Sequence, residues 1–262
     1  MLNKVCLFVL FLSFSTVSQS WAQKQILPAI PKSRCRISFP SDSRIEWFCY
    51  QVKSEKTLGN LLGLYLEPVL RFNRIDRMHA LQGSYIKIPI NLKDAADFTP
   101  MPQGLEQAKN YRRYLLLDRS EQFLGAYEFG ELKFSLPIAS GRGNSTPAGI
   151  FKVLGRDRWH RSHRYTITGT NILYPMYWGI KFHIAKSGKA LWLHSRDMPG
   201  YPVSHGCIGL YDEEMQRKFY GYPKNPQLLD SKRLYLWLFP DGENEKPRMY
   251  PDGLPDVLIE IK

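Results

Sequence analysis

Acidic residues are in short supply in this chain: 24 Asp and Glu stand against 36 Lys and Arg in 262 residues, a net charge of +12. Such an excess suits an anionic partner, whether nucleic acid, a membrane surface or an acidic wall polymer. The basic residues are dispersed instead of clustered, which does not fit nucleic acid. Closely paired Cys and His ligands of the common zinc motifs are missing. The glycine-rich stretch 140–151 lacks the Gly-Lys-Ser/Thr ending of a phosphate loop and opens no helix, so it does not read as a nucleotide site. No alternation of strands and helices marks a parallel βαβ domain. Cysteine is scarcest of all: four residues, of which only Cys207 lies in the last two-thirds of the chain.

Long apolar runs are absent as well. The one at the start, 5–14, is too short to cross a bilayer comfortably. It follows Lys4, the only charge in the first 22 residues, and precedes Ser20-Trp21-Ala22. A charged start, a short apolar run and a small-x-small site read as a secretory signal cleaved near Ala22, which predicts export to the periplasm or cell envelope. Cleavage removes Cys6 and leaves three cysteines. In an oxidising compartment an odd count suggests one pair and one free thiol. Cys35 and Cys49 are close enough in sequence to close a short loop, a pairing worth about 3 kcal/mol in the chain-entropy picture. That leaves Cys207 free, either as a nucleophile or as an inert buried side chain.

Residues 23–47 carry Pro28, Pro31 and Pro40 with mixed charges and read as a tether. Residues 48–90 read as strand, helix, helix, strand. Residues 48–52 form the first strand, and Thr57 is placed to cap a helix whose Leu58, Leu61, Leu62 and Tyr65 share one face. Pro68 suits the first turn of a second helix, and 85–88 form a strand stopped by Pro89. Tyr50-x-Val52, Thr57-Leu58, Asn73, Leu81-x-Gly83 and Ile86-x-Ile88-Pro89 resemble a LysM module, with Glu55-Lys56 in place of its usual Gly-Asp. The resemblance implies a small βααβ unit that binds N-acetylglucosamine-containing glycans such as peptidoglycan, or a degenerate copy serving as a spacer.

Residues 91–109, with Pro100, Pro102 and Gly104, read as a linker. A second domain, over 110–222, then begins with short apolar and aromatic runs at 111–118, 123–129 and 132–139, separated by turn residues, which predict antiparallel sheet. Residues 156–171 carry Arg156, Arg158, His160, Arg161, His163 and Arg164 and read as a basic surface loop, or else as a loop facing the site to attract an acidic substrate. A hairpin follows over 179–185 and 190–194. Asp212 caps a helix over 213–220 that ends at Gly221. Residues 223–262 are expected to extend the β structure, with strands at 234–239 and 257–261, one of them closing an edge.

The chemistry converges on residues 193–210, LHSRDMPGYPVSHGCIGL. A thiol attacks as thiolate, and a neighbouring imidazole can take its proton to give an ion pair at neutral pH. His194 ends a strand and can face Cys207 through space, so it is the expected base, with His205 in support. Ser195, by hydroxyl or by main-chain carbonyl, is the expected group that sets the base's tautomer. Gly206 permits close backbone approach, and the amides of His205, Gly206 and Cys207 are candidates for an oxyanion hole.

His194-Ser195 followed by Ser204-His205-Gly206-Cys207-Ile208, with the lead-in Thr146-Pro147-Ala148-Gly149-Ile150-Phe151, resembles the signature of YkuD-type L,D-transpeptidases over about 111–215. The resemblance implies a mainly β catalytic domain, a mixed β-sandwich with a short helix after the Cys motif. It implies a metal-free, cofactor-free enzyme in which Cys207 attacks a peptidoglycan stem tetrapeptide, expels D-alanine and passes the acyl group to an amine on another stem or on a wall-attached protein. Catalytic roles fall on Cys207, His194 and Ser195; pocket roles on Ser204, His205 and Gly206; substrate contacts on Arg142, Tyr177, Trp178 and Arg196. Two features depart from the family: Gly209 stands where Asn or Arg is usual, and the interval from His194 to Cys207 is short. Water as acceptor would make the enzyme an L,D-carboxypeptidase or hydrolase. A metal site built from His183, His194, His205 and Cys207, and a purely peptidoglycan-binding protein with an inert Cys207, are the rival readings.

Overall fold

A computed structural model describes residues 30–262. The secretory signal, its cleavage site near Ala22 and the first part of the tether lie outside the described residues. Cys35 and Cys49 are joined in a disulfide, which ties the stretch before the first strand to β1 (Trp47–Gln51).

β1 pairs antiparallel with β2 (Tyr85–Pro89), and α1 (Glu55–Leu62) and α2 (Leu66–Asn73) lie between them in sequence. The cap of α1 is not Thr57 but Ser54, whose Oγ accepts the Thr57 amide. Ser54 is extended, as a cap must be, while Thr57 lies inside the first turn. Leu58, Leu62, Val69 and Leu70 bury one apolar stripe. That stripe does not close on itself: it shares a core cluster with Ala139, Met198, Tyr211 and Leu228 from the following domain. Residues 91–109 contain α3 (Lys93–Ala96) and bury Met101, Leu105 and Ala108 against Tyr114 and Phe123.

The larger domain holds two five-stranded sheets facing one core. One is built from β3 (Arg113–Asp118), β4 (Phe123–Glu128), β5 (Glu131–Pro137), β6 (Gly149–Lys152) and β14 (Val257–Ile261), in the order β5-β4-β3-β14-β6. The other is built from β7 (Gly155–Asp157), β10 (Gly179–Ile184), β11 (Ala190–Ser195), β12 (Ile208–Leu210) and β13 (Arg248–Met249), in the order β12-β11-β10-β7-β13. Leu115, Leu117, Ile180, Leu193, Ile208 and Ile259 meet between them. β8 (Arg161–Thr166) and β9 (Leu173–Pro175) form a separate hairpin, so half of the stretch 156–171, expected as a basic loop, is strand.

α4 (Glu213–Tyr220) begins with the Asp212 carboxylate accepting the Met215 amide and ends at Gly221 in the left-handed region. The strand expected at 234–239 is instead α5 (Asp230–Leu238). A continuous apolar run satisfies either period, and what decides is burial at Ser231, Leu234, Tyr235 and Leu238, the three-and-four spacing of a helix. β14 is no edge strand: it lies between β3, to which it is parallel, and β6.

Candidate active site

β11 and β12 are adjacent parallel strands, with Leu193 opposite Ile208, His194 opposite Gly209 and Ser195 opposite Leu210. Side chains alternate along a strand, and partners opposite each other share a face. Leu193, Ile208 and Leu210 therefore point into the core, while His194 and Gly209 share the other face. Cys207, one residue before β12, continues that ladder beside Trp192 and receives a backbone hydrogen bond from it. The topology thus sets the thiol and the imidazole at diagonal positions on one face. Among the described residues no hydrogen bond joins them, a looseness common before substrate arrives.

His194 is buried at 1% exposure, and its Nδ1 lies 2.6 Å from the carbonyl oxygen of Ser195. A carbonyl only accepts, so Nδ1 carries the proton and Nε2 keeps its lone pair for the thiol. Of the two options for Ser195, the main chain performs the orientation; the hydroxyl is buried without a partner. The Ser195 amide is held by the Tyr177 carbonyl at 2.9 Å.

Burial pushes the His194 pKa down to about 3, and the charge of Arg196 pushes the same way, against the Ser195 carbonyl. Burial pushes the Cys207 thiol up, more than the Trp192 backbone, Lys189 and Arg196 pull it down. Both shifts favour the neutral thiol and the neutral imidazole over the expected ion pair, because desolvation penalises both charged forms at once. The proton must move as the sulfur attacks.

The turn before Cys207 is held from several sides. Gly206 has φ 127°, and a Cβ there would lie 2.9 Å from the Ser145 carbonyl, so only glycine fits. Ser204 Oγ accepts the Gly206 amide at 3.0 Å and donates to the Cys207 carbonyl at 2.5 Å. The Gly206 amide is thereby committed, which leaves the His205 and Cys207 amides as oxyanion candidates. The glycine-rich stretch locks on from behind: Thr146 Oγ1 accepts the Gly141 amide at 2.8 Å and donates to the Gly206 carbonyl at 3.0 Å. The Arg142 amide donates to the Ser204 carbonyl at 2.9 Å, and the Arg142 side chain stays exposed.

His205 is exposed and stacks flat on Tyr165 of β8 at 4.9 Å. Burial, slight though it is, and then Arg142, Lys189, Arg196 and Arg164 lower its pKa. The basic stretch 156–171 therefore faces the site through Arg164 and Tyr165. Tyr177 and Trp178, expected substrate contacts, are instead core residues: both are 4% exposed, and Trp178 packs against Tyr235 beneath the Arg158 guanidinium. His183 packs edge-on against Phe151, not against the site's imidazoles, and a bulge in β10 sets it out of step with Lys181. Among the described residues no group of three or more His, Cys, Asp or Glu is placed to hold a metal.

Sequence reasoning missed Asp76. Fully buried, it follows α2 and accepts the Met198 amide and Gln216 Nε2, both at 2.7 Å. It anchors the N-terminal unit to the segment that leads into Ser204. Only proximity created in three dimensions, 122 residues apart in sequence, reveals it.

Residues 112–223 match the YkuD family model, described as the L,D-transpeptidase catalytic domain. No curated protein matches the chain significantly. Among solved structures the chain is similar to an L,D-transpeptidase from Xylanimonas cellulosilytica DSM 15894, at 17% identity and a TM-score of 0.43 over 83% of this chain and 98% of that one. It is similar to an L,D-transpeptidase from Mycobacterium tuberculosis H37Rv, at 17% identity and a TM-score of 0.35 over 58% of each chain. It is also similar to an LD transpeptidase solved in complex with imipenem, at 15% identity and a TM-score of 0.35 over 58% of this chain and 59% of that one. The chain thus spans under three fifths of the length of the last two. Cys207, His194 and their supporting turn all lie inside the segment that matches the L,D-transpeptidase catalytic domain model.

Proposed function

We propose that this protein is a cysteine-dependent peptidoglycan L,D-transpeptidase. The observation that carries the reading is the β11–β12 pair, which sets Cys207 diagonal to a neutral His194 whose tautomer the Ser195 carbonyl dictates. His194 Nε2 takes the thiol proton as Sγ attacks the carbonyl of the third residue of a stem tetrapeptide. The oxyanion is held by the His205 and Cys207 amides. The bond to the terminal D-alanine breaks, and its amine leaves with the proton from His194. A thioester remains on Cys207, and an amine of a second stem, or of a wall-attached protein, attacks it and regenerates the thiol. The basic surroundings of His205 suit a donor that carries carboxylates. The chain acts after export, in the periplasm or cell envelope, and the LysM-like unit at 48–90 lends affinity for the glycan strand.

The test is incubation of the mature protein with disaccharide-tetrapeptide, followed by mass spectrometry. A thioester adduct on Cys207 and a cross-linked dimer are expected. Tripeptide without dimer converts the reading to an L,D-carboxypeptidase. Unchanged substrate, or the same products from Cys207→Ala, refutes it.

A further inference from the structure

Gly209 poses a question that backbone conformation does not answer. Its φ lies outside the left-handed region, so any residue could adopt it. What forbids a side chain is space. A Cβ at Gly209 would lie 2.5 Å from Cδ, 2.7 Å from Cβ and 3.0 Å from Cγ of Arg196. The stem of Arg196 runs across the bare Gly209 backbone on the face that holds His194 and Cys207. The Arg196 amide donates to the Leu210 carbonyl at 2.9 Å, which extends the β11–β12 ladder by one step and aims the side chain back over Gly209.

The guanidinium that arrives there has no acid. Arg71, Arg74, Arg77, Arg156 and Arg158 each face a carboxylate. Arg196 makes no ion pair among the described residues, and its Nε is buried without a hydrogen-bond partner. The acid next to it in sequence, Asp197, is committed elsewhere: Oδ1 accepts from Gln216, and Oδ2 accepts from the hydroxyls of Tyr174 and Tyr220. The Arg196 guanidinium instead lies 5.7 Å from the Tyr174 ring centre. A part-buried cation without a counter-ion is costly, and one at a substrate cleft is completed by the substrate's own anion.

We infer that Arg196 is the residue that binds a carboxylate of the acyl donor beside Cys207, and that Gly209 is the slot which lets it reach. The assignment rests on the transpeptidase reading above. The cation keeps a fixed place on the nucleophile's face, and its charge is felt at both His194 and Cys207. Two carboxylates of a diaminopimelate tetrapeptide have the right chemistry: the terminal one of D-alanine and the one on the diaminopimelate side chain.

The experiment measures Cys207 acylation by mass spectrometry and D-alanine release with three donors: the native tetrapeptide, the same peptide amidated at its C-terminus, and the same peptide amidated on the diaminopimelate side chain. For the wild type, one of the two amidations should raise KM about 10- to 100-fold, and that one names the carboxylate. Arg196→Gln should raise KM for the native donor by a similar factor and erase the preference, while Arg196→Lys retains part of it. Gly209→Ala should copy Arg196→Gln by displacing the stem. Because that variant can fail to fold, Arg196→Ala/Gly209→Ala, which has no clashing stem, is the control: it should fold and show no loss beyond Arg196→Ala alone. A wild type acylated equally well by all three donors, or an Arg196→Gln variant that keeps the wild-type preference, overturns the assignment alone. A wild type acylated by none refutes the transpeptidase reading and the assignment with it.

Discussion

Replacing Asp76 with Ala tests how the N-terminal unit supports the catalytic domain. The carboxylate is fully buried and accepts four donors: the Met198 amide and Gln216 Nε2 at 2.7 Å each, the His79 amide at 2.9 Å, and His79 Nδ1 at 2.7 Å. His79 has a side chain 37% exposed and can turn to water. Met198 is fully buried, and Gln216 is 1% exposed, so their donors cannot. Each stranded donor costs about 1–3 kcal/mol, so Asp76→Ala should lose about 2–6 kcal/mol. That is a large share of the roughly 5–15 kcal/mol that holds a domain. Urea unfolding followed by tryptophan fluorescence measures it, and an unchanged m value shows that the native state, not the unfolded one, was altered. Asp76→Asn keeps one acceptor oxygen and should lose about half as much. The variant should also acylate at least tenfold more slowly, because Met198 belongs to the segment that positions Ser204 and Cys207. A loss below about 0.5 kcal/mol, the range of an ordinary surface change, would refute the idea that Asp76 docks the two parts.

Other outcomes follow from the same geometry. His194, held near pKa 3 when folded against 6.5 when free, stays neutral in the native state while the unfolded chain binds a proton, so stability is lost as pH falls from about 6.5 toward 3. Acid titration of unfolding should show His194→Gln with a slope shallower by about 1.4 kcal/mol per pH unit in that window, and parallel curves for the two proteins would refute the neutral imidazole. The rate of Cys207 alkylation by iodoacetamide should keep climbing beyond the ordinary thiol value near 9, and a plateau around neutrality would restore the ion pair. Ser195→Ala should acylate within about threefold of the wild type, since the carbonyl and not the unpartnered hydroxyl holds His194; a loss of 100-fold would return the role to the side chain. Thr146→Val, which strands the Gly141 amide and the Gly206 carbonyl inside the protein, should cost about 2–6 kcal/mol in urea unfolding, and a neutral result would deny that this hydroxyl ties the turn.

Local pattern carried much of the reading. The antiparallel runs of β3, β4 and β5, the β10–β11 hairpin, and α4 between Asp212 and Gly221 follow from alternation, turn residues and caps, which depend on neighbours in sequence. The free thiol was legible because Ser204-His205-Gly206-Cys207 is contiguous and the cysteine arithmetic left one thiol unpaired. Period alone could not separate helix from strand in 234–239, and burial on a three-and-four spacing decided for α5. Nor could residue type tell a core aromatic from a cleft aromatic, so Trp178 was misplaced until packing put it under Arg158 and against Tyr235.

By itself, then, the sequence determined the one unpaired thiol, the Ser204-His205-Gly206-Cys207 turn around it and the antiparallel meander of the first sheet, because each is written in residues near one another along the chain. Only the tertiary structure sets the desolvation that disfavours charge on His194 and Cys207, since burial is a property of the packed sheet. Only it decided that Asp76 braces the segment before the nucleophile and that the bare backbone of Gly209 makes room for Arg196, because space and burial exist only once distant strands and loops have been brought together.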